Sequence, residues 1–164
     1  MIIGPRRIAL IAAIVAVAAT IILLPLIFAR TAPNLEEVQV SVSRVTIAQA
    51  DEQNTQLNVV FTLHNPTAQT ATTSKIEYEL FADGVSLGTD TISYEDIPPN
   101  GRPPLFQNGT INITDPFSLD YSDSIAGIYS KVQDSPSDVR WRVDGTARIE
   151  STLTFVDKQF SDEP

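Results

Sequence analysis

The stretch Leu57-Asn58-Val59-Val60-Phe61-Thr62-Leu63-His64-Asn65-Pro66 decides the architecture of this chain. Leu57, Val59, Phe61 and Leu63 fall on one face of an extended segment and His64 on the other, the period-two pattern of a half-buried β-strand. The strand stops at His64-Asn65-Pro66-Thr67. Proline removes a backbone donor there, and the asparagine side chain is suited to bonding nearby backbone groups and shaping a turn.

The same alternation recurs on both sides. Upstream, Val38, Val40 and Val42 alternate with Gln39, Ser41 and Ser43. The parity then flips to Val45 and Ile47, which calls for a bulge or a bend. Downstream, Ile76, Tyr78 and Leu80 point inward and Lys75, Glu77 and Glu79 outward, and Asp83-Gly84 reads as a hairpin turn. Val85 to Ser93 forms a weaker return strand. Ile97 to Pro104 carries four prolines and reads as a rigid loop. A strand is expected near Phe106 to Thr114. From Asp120 to Val132 the pattern changes: Tyr121, Ile125, Ile128, Tyr129 and Val132 recur at helical spacing, so one short amphipathic helix is expected, with Asp120 as its N-cap, packed on an open end of the strands. Val139, Trp141, Val143, Ala147 and Ile149 then oppose Arg140, Arg142, Arg148 and Glu150, and Leu153 and Phe155 continue that strand or begin another. Six or seven short strands with turn signals between them make an all-β protein, an antiparallel β-sandwich with one short helix.

Composition narrows the chemistry. The 164 residues include no cysteine, which excludes disulfides, thiolate metal sites and cysteine nucleophiles. The net charge is −9, and beyond residue 30 there are 8 basic against 20 acidic residues, a balance of −12. A domain this acidic is unsuited to nucleic acid, where phosphate contacts need an excess of lysine and arginine.

The N-terminus reads differently. Ile8 to Ala29 is an uncharged run of 22 residues. As a helix it would be about 33 Å long, against a hydrocarbon core of about 30 Å. The competing reading, a cleaved signal peptide, usually has a shorter apolar stretch of about 7–15 residues. Arg6 and Arg7 precede the run, while Glu36 and Glu37 follow soon after Arg30, so the positive-inside bias places the N-terminus in the cytoplasm. The expected organisation is a cytoplasmic N-terminus (1–7), a transmembrane helix (8–29), a linker (30–35), the sandwich domain outside the cytoplasm (36–158) and a C-terminal tail (159–164).

Assembled in order, several segments resemble the group 2 late-embryogenesis-abundant proteins, also called the WHy (water stress and hypersensitive response) domain. They are Val38-Gln39-Val40-Ser41-Val42, the strand ending in Asn65-Pro66, and Ile76 to Gly84. Ile97-Pro98-Pro99-Asn100-Gly101 and Trp141-Arg142-Val143-Asp144-Gly145-Thr146-Ala147 complete the set. Thr67 departs from the pattern, where the family usually has a second asparagine. The resemblance implies a sandwich similar to fibronectin type III and immunoglobulin domains, association with desiccation or osmotic stress, and no catalysis. It makes Asn65, Pro66, Asp83, Gly84, Trp141 and Gly145 structural motif residues.

The remaining candidates have bland alternatives. His64 is the sole histidine, and with no Gly-x-Ser-x-Gly motif it reads as a strand-end residue rather than a catalytic base. Asp115, Asp120 and Asp123 cluster in sequence, but their spacing fits no calcium loop. Asn108-Gly109-Thr110 and Asn112-Ile113-Thr114 are glycosylation sequons, with Asn108 expected to be the more accessible acceptor. Arg140, Arg142 and Arg148 form a basic stripe, expected to pair across strands with carboxylates such as Glu77 and Glu79 or simply to lie exposed, with a phosphate or lipid head-group site as the sharper alternative. No catalytic residue, metal site or cofactor is expected. The partners expected are the lipid bilayer through residues 8–29 and an extracytoplasmic protein. Two readings of function stand: a membrane-anchored stress-protection module, or an accessory single-pass subunit of a larger membrane complex.

Overall fold

The computed structural model describes the backbone of residues 5–31, 34–51, 53–152 and 154–164, with side chains described for 9–24 within the first of these. The chain divides into two units, Met1–Ala32 and Pro33–Pro164.

In the first unit, helix α1 runs Pro5–Thr31. Its side chains from Leu10 to Leu24 include nine large apolar residues, each half or more exposed. Thr20, the polar residue among them, donates its hydroxyl to the Ala16 carbonyl at 2.9 Å. Among the described residues no helix is long and apolar enough to cross a membrane. The described side chains of α1 cover only 16 residues, Ala9 to Leu24, and the expected span over 8–29 reaches beyond them.

The second unit is an antiparallel sandwich. Its strands are β1 (Gln39–Ala50), β2 (Asn54–His64), β3 (Ala71–Ala82), β4 (Val85–Ser93), β5 (Pro104–Leu105), β6 (Thr110–Asp120), β7 (Trp141–Glu150) and β8 (Phe155–Asp162), with helix α2 (Ala126–Asp134) between β6 and β7. One sheet has the order β1-β2-β6 and the other β4-β3-β7-β8, with β5 extending the second along β3. The deciding stretch is the central strand of the smaller sheet. Leu57, Val59, Phe61 and Leu63 are all fully buried. They meet Ile76, Tyr78, Leu80, Val143, Ala147 and Ile149 from the other sheet in one core. Phe61 lies edge-on to Tyr78 and to Phe160, at 5.0 and 5.8 Å between ring centres. The parity flip in β1 is a register shift between Val42 and Arg44.

Four boundaries differ from expectation. The strand expected from Phe106 begins at Thr110 and runs to Asp120. Residues 106–109 instead close a turn, Gly109 N–H donating to the Phe106 carbonyl at 2.9 Å. Pro116 is tolerated because β6 is an edge strand. The helix begins at Ala126 after a 3-10 turn, Asp123–Ile125, so Asp120 is not its N-cap. The Asp120 carboxylate instead accepts from Asn54 Nδ2 at 2.6 Å. Residues 159–162 of the expected tail belong to β8, where Phe160 is buried and Asp162 accepts a hydrogen bond from Val42 N–H at 2.9 Å. Leu35, assigned to the linker, is buried in the core. Leu153 lies outside the described residues.

The strand directions define two ends. At the first lie the start of β1, the 65–70 turn, the 94–109 connection and the β7–β8 turn. At the second lie the β1–β2 and β3–β4 turns and α2.

Candidate functional site

The best-built polar site is at the first end, around Asn65, which is fully buried. Its Nδ2 donates to the carbonyls of Gln69 (2.7 Å) and Leu105 (3.0 Å). Its Oδ1 accepts from Thr67 N–H (3.0 Å) and from the Thr67 hydroxyl (2.7 Å). Its backbone N–H donates to the Gly109 carbonyl at 2.9 Å. Two donors and two acceptor positions are the full capacity of an amide side chain, and here all are used. Asn65 therefore grips both sides of the 106–109 turn as well as its own turn. Thr67, where the resemblance led one to expect asparagine, is also buried and supplies the needed donor from a hydroxyl. Pro66 stands between them and, lacking an N–H, leaves none to satisfy.

The other motif residues build the scaffold. Asp83 (φ 49°) and Gly84 (φ 83°) join Ala82 to Val85 in a two-residue hairpin of the primed type. Asp83 does more than turn. Its carboxylate accepts from Arg140 N–H at 3.0 Å and pairs with Lys131 of α2. The bond from Lys131, then that from Arg140, hold its pKa below the ordinary value. Trp141, nearly buried, opens β7 and lines a cleft of about 310 Å³ with Asp83, Gly84, Arg140, Arg142 and Glu163. Gly145 is needed for close approach: a Cβ there would strike the Glu77 carbonyl and lie 2.5 Å from the Phe160 ring.

The remaining candidates disperse. His64 faces the outside of the smaller sheet, its Nδ1 3.0 Å from the Thr110 hydroxyl. Asp115 points into the sandwich and accepts from the Tyr78 hydroxyl at 2.7 Å. Desolvation raises the Asp115 pKa, partly offset by that bond. Burial first, then the bond to Asp115, raises that of Tyr78. Asp120 lies on the opposite face of β6, and Asp123 is 3.4 Å from the Tyr121 hydroxyl. No group of three metal-ligating residues occurs among the described residues. Of the arginines, Arg148 pairs with Asp157 at 2.8 Å, and Arg142 sits 3.5 Å from Asp144 and 4.2 Å over the Phe81 ring. Arg148 and Asp157 face each other across β7 and β8, a cross-strand pair of the kind expected, while Glu77 and Glu79 are engaged elsewhere, by Lys75 and Ser86. Asn108 and Asn112 are both exposed, so accessibility does not rank one above the other.

The two sheets therefore present unlike outer faces. On the larger sheet Lys75, Glu77, Glu79, Arg142, Asp144, Arg148 and Asp157 share neighbouring register positions. On the smaller sheet the outward positions are mostly uncharged amides and hydroxyls, such as Ser41, Thr62 and Asn112 on one rung and Thr46 and Asn58 on another.

Sequence reasoning missed two participants. Thr67 is legible only as a polar residue after the turn. Phe106 was assigned to a strand; the Gln107-Asn108-Gly109 triplet after it is the turn signal that separates it from β6.

No family model matches the chain, and no curated protein does. Among solved structures it is similar to the solution structure of a protein from Arabidopsis thaliana, with TM-score 0.50 and 12% identity over 76% of this chain and 80% of that one. It is also similar to a candidate late embryogenesis abundant protein, with TM-score 0.48 and 19% identity over 93% and 86%. A protein from Archaeoglobus fulgidus gives 0.48 and 12% over 76% and 94%. The class defined by the fold is an antiparallel β-sandwich protein, a fold shared with the Arabidopsis protein.

Proposed function

We propose that this chain is a non-enzymatic, membrane-tethered sandwich of the late-embryogenesis-abundant WHy type, held outside the cytoplasm and acting in protection during water loss. The observation that carries the reading is the saturated Asn65-Pro66-Thr67 clamp at the end of the apolar strand. It gives physical content to the Asn-Pro turn on which the resemblance rests. The same resemblance favours a fibronectin type III-like relation for the sandwich.

Two features support the tether. The uncharged run of 22 residues lies within α1, whose 27 residues rise about 40 Å. The described large apolar side chains of α1, from Leu10 to Leu24, are exposed, as a lipid solvent requires. Arg6 and Arg7 before the run support a cytoplasmic N-terminus.

The test is direct. The chain should stay with membranes through alkaline extraction, and protease added to intact cells stripped of outer layers should remove residues 34–164. A deletion strain should grow normally in ordinary medium and lose survival after drying or salt shock. Equal survival, with the chain purifying in a fixed ratio to constant companions, would establish the accessory-subunit reading instead.

A further inference from the structure

The glycosylation sequon Asn108-Gly109-Thr110 stands on the turn that also carries Phe106, in the order Phe106-Gln107-Asn108-Gly109-Thr110. The Phe106 ring is 61% exposed. Its turn is held on both sides, since Asn65 bonds the Leu105 carbonyl through its side chain and the Gly109 carbonyl through its N–H. A Cβ built on Gly109 would stand 3.5 Å from that of Phe106. The turn therefore folds back onto Phe106 and leaves the ring within reach of a sugar on the neighbouring Asn108. A rigid turn that holds an aromatic ring in water gains nothing for folding, so the ring marks a contact. One face of a pyranose carries mostly C–H groups. Packed on an aromatic ring, it takes apolar area of both out of water.

Exposure does not separate the two sequons, but the backbone does. Asn112 lies inside β6, opposite Thr62 of β2, and its Oδ1 accepts from the Thr62 hydroxyl at 2.9 Å. Thr114 follows on the same strand. A triplet locked in a ladder does not bend to bring its amide and its hydroxyl into one active site. Asn108 is outside any strand, in the left-handed region (φ 52°), and its amide has no partner among the described residues. Thr110 is the first residue of β6, and its hydroxyl has one exposed contact, His64 Nδ1 at 3.0 Å. We infer that Asn108 carries an N-linked glycan whose first sugar rests on the Phe106 ring, and that Asn112 carries none. The inference rests on the external placement of the domain proposed above. The donor is a glycan carried on a polyprenyl phosphate or pyrophosphate, and a membrane-borne transferase joins it to the chain. The Asn108 amide nitrogen bonds to the anomeric carbon and gives up one proton. The bond from that carbon to the phosphate oxygen breaks, and its electron pair leaves with the phosphate, so nothing is oxidised or reduced.

The test compares the full chain purified from the membranes of its own cells with the same chain made in cells that lack such a transferase. The first should exceed the mass of its sequence by one glycan, and peptide mapping should place that glycan on Asn108. Asn108→Gln should lose the added mass, and Asn112→Gln should keep it. The glycosylated chain should also melt at a higher temperature than the bare one. Phe106→Ala should abolish that gap, because the sugar then has no ring to cover. If protease reaches the domain from outside and the chain has its bare mass, or carries its sugar on Asn112, the inference is overturned and the external placement stands. A melting gap that survives Phe106→Ala overturns the stacking. If protease does not reach the domain, the placement falls and the inference with it.

Discussion

The two ends of the sandwich are closed by different means. At the first end, a buried amide saturates its hydrogen bonds on backbone groups of two turns, and no ionisable side chain takes part in the clamp. At the second end, α2 lies over the opening. Tyr129 and Val132 are buried there, and the Tyr129 hydroxyl donates to the Asp51 carbonyl at 3.1 Å. Lys131 pairs with Asp83, and Gln133 Nε2 donates to the Thr55 hydroxyl at 2.9 Å. The first closure is short and directional and leaves its loops free to present side chains. The second spends its apolar residues on the core. That difference explains why Phe106 and Phe155 are the most exposed aromatic residues of the domain while Tyr121 leans edge-on against Tyr129 at 5.4 Å.

Lesions should separate the two closures. Tyr129→Ala deletes a buried ring and should cost roughly 3 kcal/mol by urea unfolding. Hydrogen exchange should speed up over residues 126–134 and leave 105–110 protected. Asn65→Ala should cost roughly 2–3 kcal/mol, because the Leu105 carbonyl and Thr67 N–H lose partners in a buried site. Its exchange signature should be the reverse, fast over 105–110 and unchanged in α2. If either lesion loosens both ends equally, the ends are one cooperative unit and the contrast fails.

Acid should act on one end. The Asp51 carboxyl, bonded by the backbone N–H groups of Gln53 and Asn54, and that of Asp83, bonded by Lys131 and Arg140, both have pKa values lowered from 3.8. A depressed folded-state pKa contributes stability that is present above the unfolded value and lost as pH falls through the folded one. Protection of α2 should therefore drop as pH is taken below about 4, while that of 105–110 holds. Asp115, midway between the ends, has the opposite sign. Its raised pKa means that ionisation opposes folding, so Asp115→Asn should be more stable than the parent at pH 7, with the difference shrinking as pH falls toward 4. Equal pH profiles for parent and variant would count against a desolvated carboxylate there.

The smallest expected effect is at the bulge in β3. The Ser74 and Thr73 hydroxyls are buried with no partner among the described residues. Ser74→Ala should leave stability within roughly 0.5 kcal/mol of the parent or raise it, since no hydrogen bond is lost. A loss well beyond that would reveal a bonded water or another partner.

Much of this was legible in the sequence. Alternation gave the inward set of β2, β3 and β7, because a strand with one dry face repeats every second residue whatever it packs against. Asp83-Gly84 gave the hairpin, since both positions need positive φ. The flip at Val45 gave the bulge. Cysteine count, acidity and the apolar run of 8–29 are properties of composition and needed no fold.

Other features depend on groups distant in sequence. Nothing local distinguishes Asn65 as a turn-former from Asn65 as a clamp. Its second amide hydrogen bonds Leu105, 40 residues away, and its N–H bonds Gly109. Gly145 reads as a weak spot in a strand until the Phe160 ring arrives from β8. Phe106 has the hydropathy of a core residue and is held in water only because the turn behind it is fixed from across the sandwich. Sequence by itself determined the inner faces of β2, β3 and β7 and the acidity of the domain, since those follow from local period and composition. Tertiary structure alone decided which polar group is buried, which aromatic ring is left out and which carboxylate loses its water. Each of those depends on desolvation, and desolvation is set by neighbours that only the folded chain brings together.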